Sequence, residues 1–264
     1  MDEMRDLLQS IYGLDSKGKF EDVKRLPAVQ SMPEVQATRR RLERFLNDEE
    51  HAGLPRPEAA AKLVKEAAFT HLNRLVAFKM MEARKLIRGT LDRYQESNAF
   101  KFYLAEHEDD LRLYEQGSLP QNDVGEGPRD RAYRHFLLWQ CAQLSKEIKV
   151  LFDPENLASQ LFPRPRALKS LLEMLNDPAL EEAWIEEETV GWIYQYFTEP
   201  DLAIFRGKNS PKVPAELLAS RTQLFTHRWI VKFLVQNTIG RLWIQIHPDS
   251  HLAKKLDYLV PLRV

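Results

Sequence analysis

The sequence predicts an all-α protein of about eight helices, and three observations support this prediction. Apolar residues recur at helical spacing in several long segments, most clearly in residues 58–87. No segment alternates convincingly between apolar and polar residues, and the best strand candidate, residues 242–246, is short. Glycine is scarce, at 10 of 264 residues, whereas open α/β nucleotide-binding sheets use glycine at their phosphate turns.

The composition is that of an ordinary soluble globular protein, with 44% hydrophobic and 29% charged residues. The net charge of -1 gives no global argument for nucleic-acid binding, so any DNA surface would be a local patch. A single cysteine, Cys141, excludes a disulfide framework and fits a reducing compartment. The apolar runs are too short to span a bilayer, and the first residues lack the pattern of a signal peptide. We therefore expect a cytoplasmic protein without a membrane partner.

The first half of the chain contains three predicted helices. Residues 35–47 form a basic amphipathic pattern that stops before a loop at residues 53–57. Residues 58–87 show the strongest helical period, and residues 100–116 predict a shorter helix. Residues 121–128 contain three turn formers and predict a loop.

The second half continues with helices and a second long loop. The period predicts helices at residues 131–151, 167–175 and 188–197, and prolines bracket a short apolar segment at residues 157–162. Residues 199–214 read as a loop. We expect a helical domain at residues 1–198, a loop at residues 199–221 and a separate region at residues 222–264.

The region after residue 221 joins a polar loop to a strongly apolar helix. Thr226 is a good helix N-cap, because its hydroxyl can accept a hydrogen bond from a first-turn amide. The residues that follow are apolar on nearly every face, so we expect a helix that is buried on most sides. A loop containing Gln223 and Thr226 at the positive end of such a helix could receive an anionic group.

Other clusters of chemically active residues favour structural interpretations. Glu147 and Lys149 have the spacing found in metal-dependent nucleases, which also need an Asp carried on a strand. Here the two residues lie in a segment with a helical period, and no such Asp accompanies them. A solvated helix face is therefore favoured. His135 and Cys141 lack the accompanying spacing of a metal site. The chain also lacks a Ser-His-Asp signature and a glycine-rich phosphate loop. We therefore assign no catalytic residue and no metal site.

Two further segments could contact nucleic acid. Arginines cluster in the first basic helix and could bind phosphates, although a charged solvated face is the base expectation: Arg39, Arg40, Arg41 and Arg44. Residues 191–197 contain four aromatic side chains. At helical spacing these would pack in a core or between domains, and base stacking is the minority interpretation.

Several segments together resemble the adenine-specific DNA methyltransferases of phage-defence systems. The BREX methyltransferases, which are PglX-like, are the nearest in pattern, followed by the DISARM and type IIG enzymes. The resemblance covers most of the chain and is carried by segments in a fixed order: F-T-H-L-N-R-L-V at 69–76, W-I-Y-Q-Y-F at 192–197, T-Q-L-F-T at 222–226, W-I-V-K at 229–232, N-T-I-G-R-L-W at 237–243 and H-P-D-S at 247–250.

The resemblance implies that residues 222–264 contain the motif X helix and the start of the methyltransferase domain, the rest of which is missing. It also implies a cofactor role for the loop before the apolar helix. In these families a Q-x-F-T-P segment, called motif X, lies against S-adenosylmethionine, which implies cofactor contacts for Gln223, Phe225 and Thr226. Histidine replaces the usual proline at position 227. Proline presets the φ angle of the first helical residue, and histidine does not. We therefore expect a less preorganised loop and a helix that still starts at Thr226.

The catalytic motifs of the family are absent from the sequence. The glycine-rich cofactor turn D-P-x-x-G-S-G and the N-P-P-Y tetrapeptide, which holds the flipped base, do not occur. We therefore expect the chain to be the N-terminal helical part of such an enzyme, from a truncated gene, a split gene or a shortened protein, and to be inactive alone. Its partners would be DNA and other defence proteins or a separately encoded catalytic portion. The alternative is a stand-alone helical adaptor or regulator in a defence complex.

Overall fold

The fold is all-α, as the sequence predicts. The computed structural model describes residues 1–121, 123, 125–203, 205, 211–213, 218 and 226–261. In these residues the β structure is limited to one isolated antiparallel bridge, between Leu14 and Phe20. None of the described helices is long and apolar enough to cross a membrane. The chain divides into two compact units, Met1–Ile185 and Glu186–Val264.

The first unit begins with two helices that the sequence did not indicate, followed by one that it predicts. Helix α1, Asp2–Ser10, buries Met4, Leu7 and Leu8 on one face. Helices α2, Pro27–Ser31, and α3, Pro33–His51, both start with proline, whose preset φ suits the first helical position. Helix α3 contains the predicted segment 35–47 and extends it at both ends.

Helix α4, Arg56–Ala83, is the long helix predicted at residues 58–87. It ends at Ala83 because the chain turns there, and Lys85 adopts a positive φ of 59° that a helix does not allow. Its apolar face packs against α1 and α3 and against a short helix described below. The residues of this core are almost completely buried: Leu7, Leu8, Leu42, Leu46, Leu63, Ala67 and Leu161.

Two predicted helices are each broken into two. The prediction of one helix at residues 100–116 is wrong, because α5, Asn98–Glu106, and α6, Glu108–Glu115, meet at a non-helical His107 with φ -120° and ψ 77°. The acidic residues of the first α6 turn favour a new helix N-terminus there.

The second break falls within the predicted helix at residues 131–151. Helix α7, Pro128–Leu144, ends where the Ser145 hydroxyl donates to the carbonyl of Ala142 over 2.7 Å, and α8 spans Lys149–Phe152. A serine that bonds its own backbone competes with helical hydrogen bonding. Glu147 and Lys149 are exposed at this break rather than on a continuous helix face.

Two more helices follow, and only the second is at a position where the sequence predicts a helix. Helix α9, Leu157–Gln160, is capped by Asn156, whose side chain accepts from the amide of Ala158 over 2.9 Å. Helix α10, Pro165–Leu175, buries one leucine face. Helix α9 is the short helix that packs on α4.

The second unit contains the helices on which the candidate site lies. Helix α11, Thr189–Ala203, continues through Pro200, so the prediction of a loop beginning at residue 199 is wrong for residues 199–203. Helix α12, Arg228–Val235, passes through a π-helical turn, Gln236–Gly240, into α13, Arg241–Ile246. The weak strand candidate at residues 242–246 is therefore helical. A 3-10 turn at His251–Lys255 follows.

Candidate functional site

The candidate site begins at the N-terminus of α12, one residue later than predicted. His227 is the N-cap, with φ -53° and ψ 137°, and its carbonyl accepts from the amide of Ile230 over 2.9 Å. Thr226 is exposed and precedes the cap, so the prediction that Thr226 opens the helix is wrong. The imidazole of His227 makes no capping bond to the first-turn amides. Gln223 and Phe225 lie outside the described residues.

Helix α12 is exposed, although its sequence predicts burial. All eight of its residues are described and none is buried. Trp229 remains 55% exposed and Leu234 54%. The exposure continues through the π turn, where Ile239 is 69% exposed, into α13, where Ile246 is 62% exposed. An apolar surface of this extent is unusual on a monomeric soluble protein.

The aromatic segment on α11 lies beside the start of α12. The rings of Trp192 and His227 are 5.1 Å apart between centroids, and Tyr196 is close to Trp192 on the same helix. Arg228 forms an ion pair with Glu186 across 3.7 Å. The second unit therefore places W-I-Y-Q-Y-F beside His227, close to the start of W-I-V-K.

The arginines of α3 do not form one phosphate-contacting face. Arg39 is buried and donates to the carbonyls of Tyr12 and Glu21, pairs with Glu43 at 2.7 Å and lies over the ring of Phe20. These contacts leave it no exposure to a phosphate, so its assignment to DNA binding is wrong.

The other three arginines of this cluster lie at the surface or near it. Arg40 and Arg44 are exposed one helical turn apart, and the guanidinium of Arg44 is close to the carbonyl of Arg40. Arg41 is half-buried and donates to the carbonyl of Glu155 over 2.5 Å. Any phosphate surface on α3 is therefore limited to this smaller group.

The segment F-T-H-L-N-R-L-V lies inside α4 and has a packing role. His71 contacts the carbonyl of Ala158 through Nε2 at 2.9 Å, and burial lowers its pKa to about 4, with the nearby positive charge of Arg74 acting in the same direction. Arg74 donates to the carbonyl of Leu151 over 2.7 Å and to the hydroxyl of Ser159 over 2.7 Å. These bonds tie α4 to the α8 and α9 region.

The possible metal ligands considered in the sequence do not converge in the structure. Cys141 is buried, and this burial raises the pKa of its thiol to about 11, which makes a thiolate unfavourable. His135 is partly exposed and lies 3.8 Å from Asp110. Among the described residues, no group of three His, Cys, Asp or Glu side chains could hold a metal ion.

One arrangement in the second unit was not singled out by sequence reasoning. The side chains of Gln236, Asn237 and Arg241 reach from the π turn and the start of α13 to the main chain near Tyr258 and Val260. Two of these residues belong to the N-T-I-G-R-L-W segment. Gln236 and Asn237 are polar amides after a strongly apolar helix, and Gly240 follows within one turn; this pattern is the signal that could have indicated them.

Comparison with known proteins agrees with the class of protein that these segments indicate. No protein-family model matches the chain. The adenine-specific methyltransferase BrxX of Escherichia coli O9:H4 (strain HS) is 32% identical over 234 residues, covering 78% of this chain and 18% of the relative. The adenine-specific methyltransferase PglX of Lacticaseibacillus casei (strain Zhang) is 31% identical over 210 residues, covering 73% of this chain and 17% of the relative.

The chain is therefore an all-α homologue of part of an adenine-specific methyltransferase. Its family is that of the BREX methyltransferases BrxX and PglX, as the sequence resemblance indicated. It spans less than a fifth of the length of either relative, at 18% and 17%.

Proposed function

We propose that the chain is the N-terminal helical part of a site-specific adenine DNA methyltransferase that serves in phage defence in the cytoplasm. In the complete enzyme a methyl group passes from S-adenosylmethionine to the exocyclic amine of adenine, marking self DNA. The homology to BrxX and PglX over most of the chain carries this proposal. The chain contributes the segment before and within the cofactor region, and a second polypeptide or a further part of the same one contributes the catalytic motifs.

The start of α12 is chemically suited to the methionine carboxylate of S-adenosylmethionine. The first-turn amides receive no bond from the side chain of the N-cap His227. Arg228 lies in the same turn and is paired with Glu186 at 3.7 Å. Free amides and the helix dipole favour an anion at this position. Thr226 is exposed at the same end, and the proposal places Gln223 and Phe225 against the cofactor with it. The complete enzyme would supply the other side of this pocket.

The exposed apolar surface of α12 and α13 supports the presence of a covering polypeptide. Trp229, Leu234 and Trp243 are all about half exposed, although side chains of this size usually lie in an interior or an interface. Both matched relatives are more than five times the length that this chain covers, at 18% and 17% coverage. We assign this surface to contact with the catalytic portion of the methyltransferase.

The proposed DNA contact on α3 is restricted to Arg40, Arg41 and Arg44. Weak, non-specific DNA binding should then decline as salt rises, because each neutralised phosphate releases counterions. Replacing Arg40 and Arg44 by alanine should reduce the slope of log K against log salt by about two, measured by fluorescence anisotropy with a random duplex. An unchanged slope would remove this face from the proposal.

The test of the proposed function is reconstitution of methyl transfer. The chain is incubated with labelled S-adenosylmethionine and mixed-sequence DNA, alone and with the polypeptide encoded directly downstream. We expect no transfer by the chain alone and adenine methylation by the pair, if the downstream sequence supplies D-P-x-x-G-S-G and N-P-P-Y. A downstream polypeptide that is fully active without this chain, or that lacks both motifs, would contradict the proposal and favour the adaptor.

A further inference from the structure

Three side chains of the second unit hold a short length of main chain by hydrogen bonds. The carboxamide oxygen of Gln236 accepts from the amide of Tyr258 over 2.6 Å. The Asn237 carboxamide donates to the carbonyl of Tyr258 over 2.7 Å and accepts from the amide of Val260 over 2.8 Å. Arg241 donates to the carbonyl of Val260 over 2.5 Å. Both main-chain groups of two alternate residues are therefore bonded on one side.

The bonded residues lie in and just after a turn. Asp257 and Tyr258 form this turn, in which the amide of Leu259 donates to the carbonyl of Leu256 over 3.2 Å. The side chains of the helix bond the main-chain groups of Tyr258 and Val260 that this turn presents to them. Val260 is β-branched and precedes Pro261, and both features favour extended backbone at that residue. We call residues 256–260 the tail segment.

The π-helical turn explains how the three side chains reach one face. In an α-helix, residues 236 and 241 would point about 140° apart, because each residue turns by 100°. The i→i+5 hydrogen bonding of a π turn widens the helix and brings residue i+5 nearly over residue i. The turn spans Gln236–Gly240, so Arg241 comes into line with Gln236 and Asn237. Arg241 also donates to the Asn237 carboxamide oxygen over 3.1 Å, which fixes the orientation of that group.

Gly240 allows the tail segment to lie directly on the helix. A Cβ at this position would be 3.0 Å from a methyl carbon of Leu256, closer than most real Cβ contacts, and Gly240 is buried. Its φ is ordinary for a helix, at -60°, so close approach and not backbone freedom explains the glycine. Leu256 and the bonded residues thus form one continuous contact along the π turn.

We propose that Gln236, Asn237, Gly240 and Arg241 form a main-chain docking site that fixes the position of the tail segment on the helix. They are positioning residues: they join the tail segment to the helix whose N-terminus is the candidate cofactor contact, so that both move as one body. Their role in positioning the cofactor end rests on the proposed function, whereas the docking itself does not. The partner that the site recognises is main chain, since the bonds go to amide and carbonyl groups.

The test is amide hydrogen exchange, measured residue by residue by NMR on the complete 264-residue chain. Asn237→Ala should raise exchange at the Val260 amide by about fivefold or more, the effect of losing a hydrogen bond of about 1 kcal/mol. Gln236→Ala should raise exchange at the Tyr258 amide instead. Asn237→Asp retains an acceptor and should keep the Val260 amide protected, which tests the site even if the alanine variant folds poorly.

Thr238→Ala is the matched control. Thr238 lies in the same π turn but bonds only to the carbonyls of Leu234 and Val235 on its own helix. It should leave exchange in the tail segment unchanged. Unaltered exchange at Tyr258 and Val260 in both site variants would overturn the proposal, as would an equal rise across residues 228–261, which indicates general destabilisation. Neither result depends on methyl transfer, so failure here is distinct from failure of the proposed function.

Discussion

Adjacent residues of a helix can have opposite roles, and α3 shows this at Arg39 and Arg40. They differ by about 100° in direction, so one points into the unit and the other into solvent. The sequence shows only four arginines in six residues and cannot say which of them meets the carbonyls of Tyr12 and Glu21. Those carbonyls belong to a segment that is distant in sequence, where no periodic pattern indicates a contact.

Arg39→Ala should destabilise the first unit by about 2–4 kcal/mol, because it leaves the carbonyls of Tyr12 and Glu21 without their charged donor and removes a buried guanidinium from the core. Urea unfolding of the chain measures this change. Arg40→Ala is the control and should shift the free energy of unfolding by less than about 0.5 kcal/mol. Equal unfolding midpoints for the two variants would contradict the assignment of Arg39 to the core.

The buried His71 should make stability depend on pH in the acid range. Burial lowers its pKa from 6.5 to about 4 in the folded chain, so the unfolded chain binds a proton more readily. The stabilisation is fully present above pH 6.5 and is lost as the pH falls through about 4, amounting to about 3 kcal/mol.

The measurement is the free energy of unfolding between pH 7 and pH 4, compared with His71→Gln. Glutamine keeps a donor for the carbonyl of Ala158 but does not titrate. We expect the variant to show a shallower loss of stability in acid. Parallel pH curves for the two proteins would show that His71 is not responsible.

At the scale of elements, the sequence predicts where helices exist better than where they end. The period in residues 58–87 and 167–175 corresponds to α4 and α10 because a strong apolar face must be buried. The breaks at His107 and Ser145 were missed because the apolar period continues through them. Local bonds decide these breaks, such as the Ser145 hydroxyl on the carbonyl of Ala142.

The start of α12 offers a test in which stability and function oppose each other. His227→Asp places a good N-cap where no side-chain cap exists, and should stabilise α12 by about 1 kcal/mol. Slower exchange of the α12 amides would report this. The added carboxylate would also repel the cofactor carboxylate, so the same change should weaken S-adenosylmethionine binding in the reconstituted enzyme. His227→Ser, an uncharged cap, should stabilise the helix with less loss of binding.

At the scale of the whole molecule, the sequence identified the family and the apolar helix but not what covers that helix. Apolarity on nearly every face indicates burial, and it cannot say whether the covering atoms belong to the same chain. In the structure α12 is exposed within its own unit. The docking site on the π turn was missed because its partners are main-chain groups, which have no signature in the sequence.

The exposed surface of α12 and α13 should bind apolar dyes and promote self-association of the isolated chain. Trp229, Leu234 and Leu242 are more than half exposed, at 55%, 54% and 56%, and their burial would remove apolar area from water. Changing these three residues to glutamine should lower dye fluorescence and reduce association in sedimentation velocity, without lowering the stability of the first unit. The catalytic portion, when present, should lower dye binding to the unaltered chain in the same way. Dye binding that the substitutions leave intact would mean that the apolar surface lies elsewhere, and that α12 and α13 are not where a second polypeptide contacts this chain.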